Sequence, residues 1–363
     1  MSAANSRSGV VASLLSNSPI FHTPCTTSLR FPSQRLGNEF YNEESDYVTA
    51  FPTGADYGRT ASTWLAAVRA AYPAAAISVV GVPSYRSGNK PRLTSWNQQL
   101  FATLVGARAG DGVSMHEYDA TGAGTGSTFT AKDVPVMLAT PFATAARIAT
   151  AAAALPDWAS IWITEYNLLY NANKPDVPAF GTWAHGLYLA AETLLVLTTV
   201  PKVAAGRVCR HCLFSFAADG ALFEDTASFD FAMSPNKKLP TLLYGRSAAA
   251  EALALIGNAS FARTSFAPLS FSPNPKTPGG VDSLVGASFT GGPGGGRAAA
   301  VIVNLAPGAL QLSAAETAGY TAFVQVSAAD ATTPVNKESA VTKSAGAVTA
   351  KLSLPAYSVT HLY

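Results

Sequence analysis

Two regimes of apolar and polar spacing divide this 363-residue chain. From Asp56 onward, Tyr57, Thr60, Trp64, Leu65, Val68 and Tyr72 recur at intervals of three and four until Pro73, which predicts a helix. An extended run over Ala75 to Val82 follows, then a helix over about Ser95 to Arg108 with an apolar stripe of Trp96, Leu100, Phe101, Leu104 and Val105. Gly110-Asp-Gly112 opens a strand over Val113 to Tyr118, and the Gly-rich stretch Thr121 to Ser127 reads as a loop. A helix over Thr140 to Leu155, capped in front by Thr140 and Pro141, leads to the strand Ile161 to Asn167. Further on, Phe180 to Thr199 reads as a helix, Arg207 to Phe216 as a strand, and Leu242 to Ile256 as a helix ended by Gly257-Asn258.

Past Asn258 the helical period disappears. Short strand candidates take over at Thr264 to Phe271, Ser283 to Phe289, Ala298 to Leu305, Thr321 to Val326 and Val348 to Leu354, separated by Gly and Pro clusters. Closely spaced strands of this kind predict an antiparallel β-sandwich. The Gly291 to Gly296 segment lacks the Gly-Lys-Ser/Thr ending of a phosphate loop and reads as a hairpin connection.

The first regime, strand and helix in alternation, calls for a parallel sheet, doubly wound or closed as a barrel. A dinucleotide-binding sheet would carry Gly-x-Gly-x-x-Gly directly after a strand, and no such turn is found there. Chemistry at strand ends favours the barrel, whose functional side chains come from the C-terminal ends of several strands. Glu39, His116, Tyr118, Glu165 and His211 all fall near such ends.

Composition narrows the partners. The 24 Lys and Arg against 22 Asp and Glu give a net charge of +2. No basic block exists to neutralise a phosphate backbone, so no nucleic-acid partner is expected. The most apolar stretch, Phe180 to Val200, contains His185 and Glu192 and reads as a buried helix, so no membrane span is expected. No cofactor motif is present, and no metal is expected from Cys209, His211 and Cys212, because on a strand Cys212 projects opposite to the other two. Residues 1–35 are rich in Ser and Thr, carry Arg7, Arg30 and Arg35 and no acid. That is the composition of an organellar transit peptide, a disordered segment or a misplaced start, and with the glycosylation triplet Asn258-Ala-Ser260 it leaves a secreted or an organellar location open.

Two carboxylates stand out. In Ile161-Trp-Ile-Thr-Glu165, regular alternation puts Ile161, Ile163 and Glu165 on one face, so Glu165 is expected to end an inward apolar row. A carboxylate there is costly unless it has partners or a use, although a surface acid after a strand is the plain alternative. In Leu36-Gly-Asn-Glu39-Phe-Tyr41, Gly37 permits close backbone approach and Asn38 adds a donor and an acceptor beside the acid. His116 and Tyr118 share the face of their strand opposite Glu117, where a Tyr hydroxyl donating to a carboxylate would keep it ionised. A satisfied core histidine is the plain alternative for His116.

These residues resemble clan A retaining glycoside hydrolases, whose (β/α)8 barrels carry an Asn-Glu acid/base on strand four and a nucleophilic Glu on strand seven. Leu36-Gly-Asn38-Glu39 matches the first motif and Trp162-Ile-Thr-Glu165-Tyr the second. His116-Glu-Tyr118 falls where these families place a strand-six Tyr in contact with the nucleophile. Leu354-Pro-Ala-Tyr-Ser-Val-Thr360 is similar to the last strand of the C-terminal sandwich in α-L-arabinofuranosidases and in the heparanase and β-glucuronidase group. The resemblance implies Glu39 as acid/base, Glu165 as nucleophile, and Asn38, His116, Tyr118 and His211 as substrate-binding residues, acting on a polysaccharide or glycoconjugate.

It also implies three strand and helix units ahead of Asn38, yet only 37 residues precede it, and Phe31-Pro-Ser-Gln-Arg35 makes a poor barrel strand. The expectation is therefore an α/β fold with a partial (β/α)8 barrel, about strands four to eight, over residues 36–258. An atypical segment, 1–35, precedes it and a β-sandwich, 259–363, follows. Loss of activity through truncation, leaving a carbohydrate-binding remnant, is the competing expectation.

Overall fold

The computed structural model describes residues 33–83, 90–119, 128–168, 179–200, 223–224, 245–261, 263, 265–291, 298–335, 340–349 and 351–363. Four strands, β1 (Ser33–Leu36), β2 (Ala76–Val80), β3 (Asp111–Asp119) and β4 (Ala159–Leu168), form a parallel sheet in the order β1-β2-β3-β4. Sequential order with a crossover between each neighbouring pair is the arrangement of consecutive barrel strands, and a doubly wound sheet would reverse direction part-way. The expected next strand, Arg207 to Phe216, lies outside the described residues, as do His211, Cys25, Cys209 and Cys212.

Strand β1 corrects an expectation, because Ser33–Leu36 pairs in parallel with Ala76–Val79. The strand begins directly after Pro32 in the sequence, a position where proline is tolerated.

The crossovers are α1 (Ser45–Ala50) with α2 (Gly54–Ala71), then α3 (Pro91–Thr103), then α4 (Val134–Ala153). Helix α2 opens on a capping box, in which Thr53 and Asp56 satisfy each other's backbone N–H. Its Tyr57 stacks on Trp96 of α3 at 5.6 Å between centroids. The Tyr57 hydroxyl donates to Leu36 O at 2.6 Å and accepts from Val80 N at 2.9 Å, which ties together the ends of β1 and β2 beneath the strand-end loops.

Helix α4 begins six residues before Thr140. Thr140 does not cap it but bonds back to Val136 O at 3.0 Å, Pro135 occupies the first turn, and Pro141 sits inside the helix. By length and composition α4 could cross a membrane, but Met137, Leu138 and Ile148 are fully buried in the protein core. Helix α5 (Trp183–Thr199) is buried from Trp183 to Leu197, as its all-round apolar character requires.

A short antiparallel pair, β5 (Phe223–Glu224) with β6 (Gly245–Arg246), precedes α6 (Ala248–Ser260). The helix therefore starts later than Leu242, at an N-cap where Ser247 accepts from Ala250 N. It also runs through Gly257 and Asn258, and Arg263 satisfies the carbonyl of Ala259 in its last turn at 2.6 Å.

The C-terminal part contributes β7 (Ser265–Pro268), β8 (Leu284–Thr290), β9 (Ala299–Asn304), β10 (Leu310–Leu312), a turn of helix α7 (Ala314–Thr317), β11 (Ala322–Ala328), β12 (Val341–Ala347), β13 (Leu352–Leu354) and β14 (Ser358–Leu362). Six of these strands make an antiparallel sheet ordered β12-β11-β14-β9-β8-β7, and β10 pairs with β13 in a ribbon. Alternation sorts the two faces. Leu284, Ala300, Ile302 and Leu362 pack on Leu312, Leu352 and Leu354 of the ribbon. Val285, Ala287, Val301, Val303 and Val359 face the core shared with α5 and α6.

Candidate active site

The site lies at the C-terminal ends of β1, β3 and β4. After Leu36 the chain turns through Gly37 at φ +106° and Glu39 at φ +48°, both in the left-handed region. Only glycine fits the first position, since a Cβ there would come within 1.9 Å of the Phe40 ring. At Glu39 the strained backbone is held from outside, because Asn42 N closes a turn on Glu39 O at 2.8 Å. Arg92 of α3 then donates to the carbonyls of Phe40, Tyr41, Asn42 and Phe51 around the loop. The Glu39 carboxylate accepts from Tyr41 Oη at 3.2 Å and from Asn42 Nδ2 at 2.8 Å.

Glu165 arrives by a different device. The β3–β4 ladder runs regularly to Met115↔Ile163, then resumes at His116↔Glu165, so Thr164 is the extra residue of a β-bulge. This corrects the face assignment made from simple alternation. Ile161 and Ile163 belong to the core under the helices. Trp162 lies over Gly112 on the opposite face, which carries Ser114 and His116 of β3, and the bulge puts Glu165 on that face. Beyond the bulge Tyr166 returns to the helix side, where its hydroxyl lies 3.1 Å from Thr193 Oγ1 of α5.

His116 joins the two acids. Its Nδ1 lies 2.8 Å from Glu39 Oε1 and 3.0 Å from Glu165 Oε2, and its Nε2 lies 2.7 Å from Arg35 NH1. A guanidinium has donors only, so Nε2 is the acceptor and Nδ1 carries the proton toward both carboxylates. Tyr118 Oη donates to Glu165 Oε2 at 2.8 Å, and Arg35 NH1 is 3.9 Å from Glu165 Oε1. Side-chain exposure of 24% for Glu39 and 20% for Glu165, against 4% for His116, leaves the acids open to a ligand above a covered imidazole.

The ligand atoms of Glu39, His116 and Glu165 all lie within 4.8 Å of one another, the spacing of a small cation site. The donor set argues otherwise. The Nδ1 that faces the carboxylates bears the proton, so it has no lone pair for a metal, and Arg35 already supplies positive charge beside Glu165.

Of the residues predicted from sequence, Asn38, Glu39, His116, Tyr118 and Glu165 come together here, and His211 lies outside the described residues. Asn38 is exposed and its Oδ1 accepts from Arg35. Arg35, Tyr41, Asn42 and Thr164 were missed. Arg35 carried a signal, since two residues past it, on the other side of Leu36, the strand gives way to the Gly-Asn-Glu turn.

No protein-family model matches the chain, and no curated protein matches it. Solved structures do. A family 51 α-L-arabinofuranosidase from Bifidobacterium longum matches with a TM-score of 0.62 at 15% identity, over 90% of this chain and 66% of its own. A conserved exported protein from Bacteroides fragilis matches at 0.57 and 15%, over 91% and 64%. The chain shares the fold of clan A glycoside hydrolases. A thermostable family 51 α-L-arabinofuranosidase from Thermotoga petrophila agrees at 0.52 and 14% identity, over 90% and 65%. This chain thus spans just under two thirds of the length of these three structures.

Proposed function

We propose that the chain is a glycoside hydrolase that cleaves O-glycosyl bonds of a polysaccharide or glycoconjugate by double displacement. The observation that carries this reading is the pair Glu39 and Glu165, with carboxylate oxygens within 4.8 Å across a shared imidazole N–H. Retaining enzymes hold their carboxyl groups about 5 to 5.5 Å apart, whereas inverting ones leave about 6.5 to 9.5 Å for a water.

In this reading Glu165, held by Tyr118 and His116, attacks the anomeric carbon while Glu39 gives its proton to the leaving oxygen. The glycosyl–Glu165 ester is then cleaved by water, which loses its proton to Glu39 and restores both groups. The donors around Glu39 suit its ionised form, the one that takes the proton from water. The Tyr41 hydroxyl can turn to accept when the acid is protonated. Exposed Asn38, beside Glu39, is placed to contact a sugar hydroxyl.

A second reading is a carbohydrate-binding protein with no turnover, in which the part-exposed Glu39 and Glu165 and the exposed Asn38 bind sugar hydroxyls. Hydrolysis of a panel of aryl glycosides separates the two. Glu165→Gln and Glu39→Ala should each abolish turnover, with azide restoring product formation in Glu39→Ala. Sugar binding without turnover, unchanged in Glu165→Gln, would select the second reading, and unchanged turnover in both variants would exclude the first.

A further inference from the structure

We propose that Arg35 is a positioning residue that locks His116 in the Nδ1–H tautomer, so that one ring N–H serves both carboxylates. Among the described residues, the groups that face the imidazole are few. Arg35 NH1 stands at 2.7 Å from Nε2, and Glu39 Oε1 and Glu165 Oε2 stand at 2.8 and 3.0 Å from Nδ1. In the other tautomer an Nε2–H would meet a guanidinium N–H, and a bare Nδ1 would meet two carboxylate oxygens. A repulsion at each end of the ring opposes that state, so the lock comes from Arg35 and the acids together.

Arg35 is itself aimed. Its NH1 also donates to Thr164 Oγ1 at 3.0 Å, and its NH2 donates to Asn38 Oδ1. Thr164 is the bulged residue of β4, so the bulge that levels Glu165 with His116 also supplies the hydroxyl that orients Arg35. A neutral imidazole oriented by a second group is the arrangement by which a histidine's two nitrogens are given distinct duties. The catalytic consequence rests on the glycosidase reading, whereas the tautomer lock does not.

The test is ¹⁵N NMR of the full chain labelled at its five histidines, with the His116 signals assigned by their loss in His116→Gln. In the parent protein, Nδ1 should give the signal of a protonated nitrogen and Nε2 that of a bare one accepting a hydrogen bond. Arg35→Met should move the His116 Nε2 signal toward that of an averaged or protonated nitrogen while the other histidines keep their positions. Arg35→Lys, which restores a cationic donor, should return it. A parent spectrum with protonated Nε2, or an Arg35→Met spectrum identical to the parent, would overturn the proposal. If Arg35→Met fails to fold, Arg35→Leu, which likewise has no donor, and the parent spectrum still decide it by the same signals.

On an aryl glycoside, Arg35→Met should lower kcat by roughly tenfold or more with less change in KM, the scale of one charge-assisted hydrogen bond. A locked tautomer in a chain without turnover would refute the glycosidase reading alone. Turnover with protonated Nε2 would refute the lock alone.

Discussion

Glu165 pairs in register with His116, one residue later than the ladder below it would place it, because Thr164 bulges out of β4. That single irregularity separates Glu165 from the apolar row of Ile161 and Ile163 and brings it to the second carboxylate. Bulges recur beside functional sites for this reason, since they re-aim one side chain without disturbing the rest of the strand.

The hydroxyl of Tyr118 donates to Glu165 Oε2 at 2.8 Å, closer than the shared imidazole at 3.0 Å. Tyr118→Phe should lower kcat on an aryl glycoside by roughly ten- to a hundredfold, the equivalent of about 1.5–3 kcal/mol for a hydrogen bond to a charged group. Thermal melting should stay close to the parent value, which distinguishes loss of the hydroxyl from loss of the fold.

Gly37 meets two demands at once, a φ of +106° and the ring of Phe40 at the place of a Cβ. Gly37→Ala should destabilise the protein by about 1–3 kcal/mol in urea unfolding. It should also reduce turnover, because the same turn aims Glu39.

Arg92 joins four carbonyls of the Glu39 loop, which no single ammonium can do. Arg92→Lys should therefore behave more like Arg92→Met than like the parent, with lower kcat in both. Guanidinium ion added to Arg92→Met should recover part of the rate, and failure of rescue together with a parent-like Lys variant would contradict the assignment.

Away from the site, Glu192 of α5 is wholly buried, and among the described residues neither carboxylate oxygen makes a hydrogen bond of normal geometry, the nearby Tyr188 hydroxyl donating to Asp119 instead. Burial, with the charge of Asp119 adding to it, holds its pKa well above the usual carboxylate range. The folded state keeps a proton that the unfolded chain releases near pH 4.5, so this group's contribution to stability is lost as pH rises above that value. His185, whose pKa burial lowers to about 3, acts in the opposite sense and withdraws stability as pH falls from 6.5. In urea unfolding at pH 7.5, Glu192→Met should gain roughly 1–3 kcal/mol over the parent, and the gain should shrink toward pH 5. A variant less stable than the parent at pH 7.5 would show that the acid has a partner worth keeping.

How much of this was legible beforehand follows from what each signal depends on. Helix α2 was readable because burial on one face imposes a helical period, whereas α5 and β2, buried on every side, were readable as apolar runs bounded by breakers. Strand β1 was hidden by its shortness and by Ser33, Gln34 and Arg35, which leave no apolar run to read. The start of α4 was misplaced because Pro141 looks like a first-turn proline but lies within a helix that already has Pro135 there. The bulge could not be read at all. It depends on the register between two strands distant in sequence, and with it went the face of Glu165 and the place of Thr164. Glu165 was singled out because a carboxylate at the end of an apolar strand is costly without a use, Glu39 by the Gly37 and Asn38 before it, and His116 and Tyr118 by sharing a strand face; Arg35 was passed over as part of a basic leader.

The central claim, that Glu165 is a nucleophile opposite Glu39, is tested most directly by covalent trapping. The full chain would be incubated with a panel of 2-deoxy-2-fluoro aryl glycosides and peptide-mapped by mass spectrometry. One fluoroglycosyl group should appear on the peptide containing Glu165 and be absent in Glu165→Gln. Hydrolysis of the parent aryl glycosides without an adduct, or an adduct on any other residue, would contradict it.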